Sequence, residues 1–180
     1  MYYHECMEHQ FQSVDILDEA GKVIGHKQRR ELDKRVDIYH AVYILLITPE
    51  HKMALSIIPT REDLPNLYVS QYGATMATIR RSGETSEQAA IRGVSHELFM
   101  EDVDLTFIGE GMEKIEDGRS TFMSIFVMRS DVPDSYSLLD IERLELFNRQ
   151  EFEELLKNDA VQAAPTLRLL WKKYGKRLPV

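Results

Sequence analysis

The sequence predicts an α+β sandwich, with helices laid on a mixed sheet, and three observations lead there. Short β-rich segments come first, then one stretch of helical spacing, then further strands and two more helical stretches. The change from strand to helix patterning falls at a sharp Ser82-Gly83 break. No repeat, low-complexity tract or long linker interrupts the 180 residues, a length that suits one domain with a full core.

Residues 1–13 read as a tail. Residues 14–32 read as a hairpin turning at Glu19-Ala20-Gly21, where Gly supplies positive φ. Ala41 to Thr48 is continuously apolar and β-branched, as a strand buried on both faces would be. Met53 to Pro59 follows across a polar Pro49-Glu50-His51-Lys52 turn and completes a second hairpin. Tyr68 to Thr75 and Met76 to Arg81 carry strand formers. Ala89, Ala90, Val94 and Leu98 then recur at helical spacing, and Thr85 with Gln88 forms a capping box, so a helix is placed from about Ser86 to Phe99. Leu105 to Ile115 and Ser120 to Arg129 form a hairpin around Glu116-Asp117-Gly118-Arg119, and Leu138 to Phe147 reads as another strand. Residues 148–174 hold the C-terminal helices, one opened by Asn148 with Glu151, the last opened by Pro165 and closed by Gly175.

Composition excludes several functions. A net charge of -8 argues against sequence-independent binding to a nucleic acid duplex, which needs many cations on phosphates. One cysteine, Cys6, permits neither an internal disulfide nor a cysteine-rich metal site. No segment has the apolar length of a signal peptide or membrane span, so a cytoplasmic protein with no membrane partner is expected.

The segment from Thr78 to Met100 resembles the Nudix box, G-x5-E-x7-R-E-U-x-E-E-x-G-U with U a bulky aliphatic residue. Glu84 falls on the first Glu, Arg92 on the Arg, Val94 and Met100 on aliphatic positions, and Glu97 on the last Glu. Thr78 stands for the first Gly, Gly93 and His96 for two Glu, and Phe99 for the final Gly, so the box is degenerate. An Asp18, Gly21, Gly25, Arg29 pattern, a strand led by His40 and the Leu64-Pro65 to Tyr68 segment look like the branch that includes isopentenyl diphosphate isomerase. The resemblance implies a Nudix-type α/β/α sandwich acting on a nucleoside diphosphate linked to another group, with Mg2+ or Mn2+ held against the diphosphate. It makes a small phosphorylated metabolite the expected partner and a homodimer a plausible assembly.

Site expectations follow position by position. The three helix carboxylates of such a box share one face, and here only Glu97 remains as catalytic and metal-ligating residue. His96 is a candidate ligand for Mn2+, Co2+ or Zn2+, or else a packing residue. Thr78 still offers the backbone carbonyl that the family uses for metal. Glu84 and Arg92 are expected to pair and tie the loop to the helix. Arg80 and Arg81, with Arg61, are the substrate-binding candidates, a guanidinium being a bidentate, permanently charged phosphate ligand. For a base outside the box, Glu110, Glu113, Glu116, Glu142 and Glu145 are available, and Glu142 is carried forward beside Glu97. Gly93 costs a helix interior roughly 1 kcal/mol relative to Ala, so a ligand, a neighbouring strand or drift after lost catalysis must account for it. Cys6 precedes the core, which argues against isomerase chemistry, and the adjacent Ser95-His96-Glu97 cannot form a relay. Two readings stand: weak or altered metal-dependent phosphoanhydride hydrolysis, or an inactive ligand- or partner-binding module.

Overall fold

The computed structural model describes residues 12–60, 68–158 and 162–180. Strands β1 (Ser13–Leu17) and β2 (Val23–Gln28) pair antiparallel in a small sheet of their own. Their turn is set by Gly21 at φ 79° and by Asp18, whose Oδ1 accepts the N–H groups of Ala20 and Lys22 at 2.9 Å each. A 3-10 turn, Arg29–Glu31, then leads the chain towards the large sheet.

The apolar run forms β3 (His40–Ile47), the axis of a seven-stranded mixed sheet. Along its whole length β3 pairs parallel with β8 (Ser120–Arg129). Its other edge is shared: β6 (Met76–Ile79) takes residues 41–44 and β4 (Met53–Ile57) takes residues 46–47, both antiparallel. Strands β5 (Tyr72–Gly73) and β9 (Arg143–Phe147) pair with β4, and β7 (Leu105–Lys114) pairs with β8. Because both faces of β3 are largely covered, alternation is invisible in its sequence yet real in space. Val42, Ile44 and Leu46 join Ala89, Ala90, Val94 and Leu98 in one core. Leu45 and Ile47 join Phe152, Leu167 and Leu170 in the other.

Those two cores define the layers. Helix α1 (Ser86–Gly93) covers one face; α2 (Arg149–Asn158) and α3 (Pro165–Tyr174) cover the other. The result is an α/β/α sandwich. Phe152, fully buried, meets Trp171 edge-on with ring centroids 4.9 Å apart and joins α2 to α3.

Three elements depart from the sequence reading, each for a local reason. Of residues 68–75 only Tyr72–Gly73 is strand, because a turn through Ser70, at φ 61°, precedes it. Of residues 138–147 only Arg143–Phe147 is strand: the N–H groups of Asp140 and Ile141 donate to the Ser137 carbonyl at 3.1 and 2.9 Å, closing a turn. The helix from Ser86 is α-helical only to Gly93, continues as a π-helical turn over Val94–Leu98, and ends at Phe99 in the left-handed region at φ 53°.

Candidate active site

The cleft is lined from strands β3 to β6 and from the segments around them. Strand β6 and the π-helical turn supply Thr78 and Glu97; the loop before β9 supplies Asp140; the hairpin exit supplies Arg29. It encloses about 250 Å³. The box scaffold around it is held by a bidentate pair. Arg92 donates from Nε to Glu84 Oε1 at 2.7 Å and from Nη2 to Glu84 Oε2 at 2.8 Å, and the Arg81 N–H donates to the same carboxylate at 2.9 Å. Burial alone would raise the Glu84 carboxyl, but these donors prevail and hold it below the usual carboxylate range. Arg92 also reaches Thr78 Oγ1 at 3.2 Å and the Ile79 carbonyl at 3.0 Å, fixing α1 against β6.

Glu97 lines the cleft. Burial pushes its carboxyl well above the usual carboxylate range, Asp140 adds to the push, and Arg29 and Arg92 offset part of it. Asp140 is placed by a chain of contacts: the Ser137 N–H donates to the Glu97 carbonyl at 2.8 Å, and the Ser137 hydroxyl donates to Asp140 Oδ2 at 2.6 Å. The loop that brings the second carboxylate is thus fastened to the residue that carries the first.

Other expected residues lie elsewhere. Thr78 is buried and lines the cleft, its hydroxyl engaged by Arg92. His96 is half-buried on the π-helical turn and does not line the cleft. Arg81 turns to the N-terminal hairpin, where Nε donates to Gln12 Oε1 at 2.8 Å. Arg80 also stays outside the cleft, and its charge acts on His40. Arg61 lies outside the described residues. Glu142 is exposed, paired with Arg143 at 3.0 Å, and Asp140 takes the inward place two residues earlier. Glu110 accepts from Ser124, Glu113 pairs with Lys173, Glu116 with Arg168, and Glu145 accepts from Tyr72; none lines the cleft.

Gly93 has its explanation in the neighbouring strand. A Cβ there would lie 2.6 Å from Met76 Cε, 2.8 Å from its sulfur and 3.2 Å from Thr78 Cγ2. The Met76 thioether fills the space into which a box carboxylate at this position would begin to extend.

This donor set does not make a site for a resident metal. Among the described residues no group of three His, Cys, Asp or Glu side chains converges. Of the two carboxylates, Glu97 has the guanidinium charges of Arg29 and Arg92 acting on it, and Asp140 interacts electrostatically with Arg29. Mg2+ is commonly held by one or two carboxylates with water and substrate phosphates. The pair therefore suits only an ion that arrives on a ligand.

Arg29, Arg119, Lys34, Tyr39 and Asp140 line the cleft without having been singled out as site residues from sequence. Arg29 had a signal, its place in the Asp18, Gly21, Gly25, Arg29 pattern. Asp140 had none, since its strand-like surroundings form a turn.

The fold has counterparts among solved structures. DR0079 of Deinococcus radiodurans is similar with a TM-score of 0.73 and 19% identity, over 91% of this chain and 99% of that one. A NUDIX hydrolase from Nitrosomonas europaea gives 0.56 and 17%, over 78% and 90%. The dihydroneopterin triphosphate pyrophosphohydrolase of E. coli gives 0.54 and 12%, over 76% and 95%. No protein-family model and no curated protein matches the sequence. The likeness is one of architecture: the chain has the Nudix fold.

Proposed function

We propose that the cleft takes a small phosphorylated metabolite, a nucleoside diphosphate linked to another group, and hydrolyses its phosphoanhydride slowly. The observation that carries this reading is Glu97 and Asp140 facing one cleft that also holds Arg29, Lys34 and Arg119. Cations bind and orient the phosphates; the carboxylates offer acceptors for the proton of an attacking water. Water oxygen bonds to phosphorus, the anhydride P–O bond breaks, and the water proton passes to the carboxylate pair. Mg2+ or Mn2+, carried in by the phosphates, would sit against Glu97 and Asp140 and add charge stabilisation. The box positions of Gly93 and His96 contribute no carboxylate, so turnover is expected to be orders of magnitude below that of a site with the full set.

The second reading, a binding module without turnover, is favoured by the Met76 thioether packed against Gly93. Phosphorus-31 NMR on a panel of dinucleotides, nucleoside triphosphates and sugar nucleotides, with Mg2+ and with Mn2+, separates the two. Slow product release that is lost in Glu97→Gln and Asp140→Asn supports hydrolysis. Thermal stabilisation by a nucleotide with no release supports the module and ends the hydrolase reading.

A further inference from the structure

Arg29 occupies an unusual position for a cation. It sits in the cleft beside Glu97 and Asp140, yet among the described residues its guanidinium makes no hydrogen bond or close ion pair. Burial pulls it down from the usual arginine range, with Glu97 the largest opposing influence. A half-buried guanidinium whose donors engage no described residue is available to a ligand, and an arginine keeps its charge there.

Two phenols share the condition. Tyr39, 8% exposed, and the half-buried Tyr43 both line the cleft, and among the described residues no group hydrogen-bonds either hydroxyl. Both come from β3 or the residue before it, so the rigid centre of the sheet positions them. Arg119 lies within electrostatic reach of both rings and is itself held, by Asp117 at 2.7 Å and by stacking 5.3 Å above the Tyr68 ring. An oxyanion of tetrahedral geometry is the ligand class whose acceptors match such a set of donors, a planar fork from Arg29 and single donors from two neutral phenols of the same cleft. Water would satisfy them too, but without meeting the positive charge of Arg29.

We propose that Arg29, beside Lys34 and Arg119, is the phosphate-binding cation of this cleft: with Tyr39 and Tyr43 it binds the phosphoryl group of the ligand without a divalent metal, and its charge keeps a free divalent ion away from Glu97 and Asp140. This rests on the reading of the cleft as a phosphate site. It also moves to the N-terminal hairpin the charge-replacing role that the sequence suggested for Arg80 and Arg81.

Inorganic pyrophosphate is the probe, titrated calorimetrically into the full chain in excess EDTA and then in Mg2+, with Mn2+ alone followed by electron paramagnetic resonance. The wild-type protein is expected to bind pyrophosphate in EDTA and to leave Mn2+ free. Arg29→Ala is expected to weaken EDTA-resistant binding at least tenfold and to gain Mn2+ binding, while Arg29→Lys keeps part of the anion affinity. Lys172→Ala, the same charge change on the exposed face of α3, is expected to behave as wild type. Should Arg29→Ala fail to fold by circular dichroism, Arg29→Gln replaces it and carries the same expectations. Wild-type binding that requires Mg2+, or an Arg29 variant that binds as wild type in EDTA, overturns the proposal and leaves the phosphate reading standing. No binding of pyrophosphate or of ADP with or without Mg2+ overturns both.

Discussion

At the scale of single residues, Gly93 and Met76 are one unit. The glycine admits the thioether and the thioether excludes any side chain at the glycine, so restoring a carboxylate by Gly93→Glu alone forces a buried methionine to move. We expect that variant to lose about 2 to 3 kcal/mol of stability in chemical denaturation, as overpacked cores do. Adding Met76→Ala should return part of that loss, a non-additivity that a double-mutant cycle measures directly. His40 offers a second residue-scale prediction. It is 4% exposed, with Nε2 2.7 Å from Ser124 Oγ, and burial first, then Arg80, hold its imidazole at about 4 against an ordinary 6.5. Between those values the unfolded chain binds a proton that the folded protein does not. Stability is therefore level above the unfolded value and falls as pH drops through the window, by up to about 3 kcal/mol. Denaturation of the His40→Gln variant against pH should lack that component. Residue identities were legible where a motif fixes spacing, as for Glu84 with Arg92. Asp140 was not, because its place depends on a turn anchored to the Glu97 carbonyl, a contact across 40 residues that no local pattern encodes.

At the scale of elements, the end of the box helix carries strain. Phe99 adopts left-handed geometry at φ 53° and is 47% exposed, so the backbone cost is not offset by deep burial of its ring. Left-handed geometry costs a residue with a Cβ about 1 to 2 kcal/mol. Phe99→Gly is accordingly expected to raise the thermal midpoint, with a gain of about 1 kcal/mol once the greater backbone entropy of glycine is counted; a lower midpoint would mean that the ring packs more than its exposure indicates. The opposite end is well capped, Thr85 Oγ1 accepting the Gln88 N–H at 3.1 Å and Gln88 Oε1 the Thr85 N–H at 2.9 Å. Thr85→Ala should cost about 1 kcal/mol. Caps, turns and long apolar runs were legible because their chemistry is local. The π-helical turn was not: the same spacing of apolar residues serves an α-helix, and the choice is made by packing over Val94 and Leu98, both fully buried.

At the scale of the whole molecule, the sheet and the helices on it bring together groups far apart in sequence: Arg29 and Tyr39 before the core is built, Thr78 and Glu97 from the box, Asp140 from the loop ahead of β9. The sandwich was legible in the order of segments, whereas the site's charge was not, since the hairpin reaches the cleft only through tertiary packing. Among the described residues no helix is long and apolar enough to cross a membrane. Titrating ADP-ribose, a nucleoside diphosphate linked to a sugar, into the nitrogen-15 labelled protein tests whether this composite cleft receives the phosphorylated ligand. Amide shifts are expected to concentrate at Arg29, Tyr39, Thr78, Glu97 and Asp140; shifts confined to the α2 and α3 face, or none at millimolar ligand, would contradict binding in the cleft.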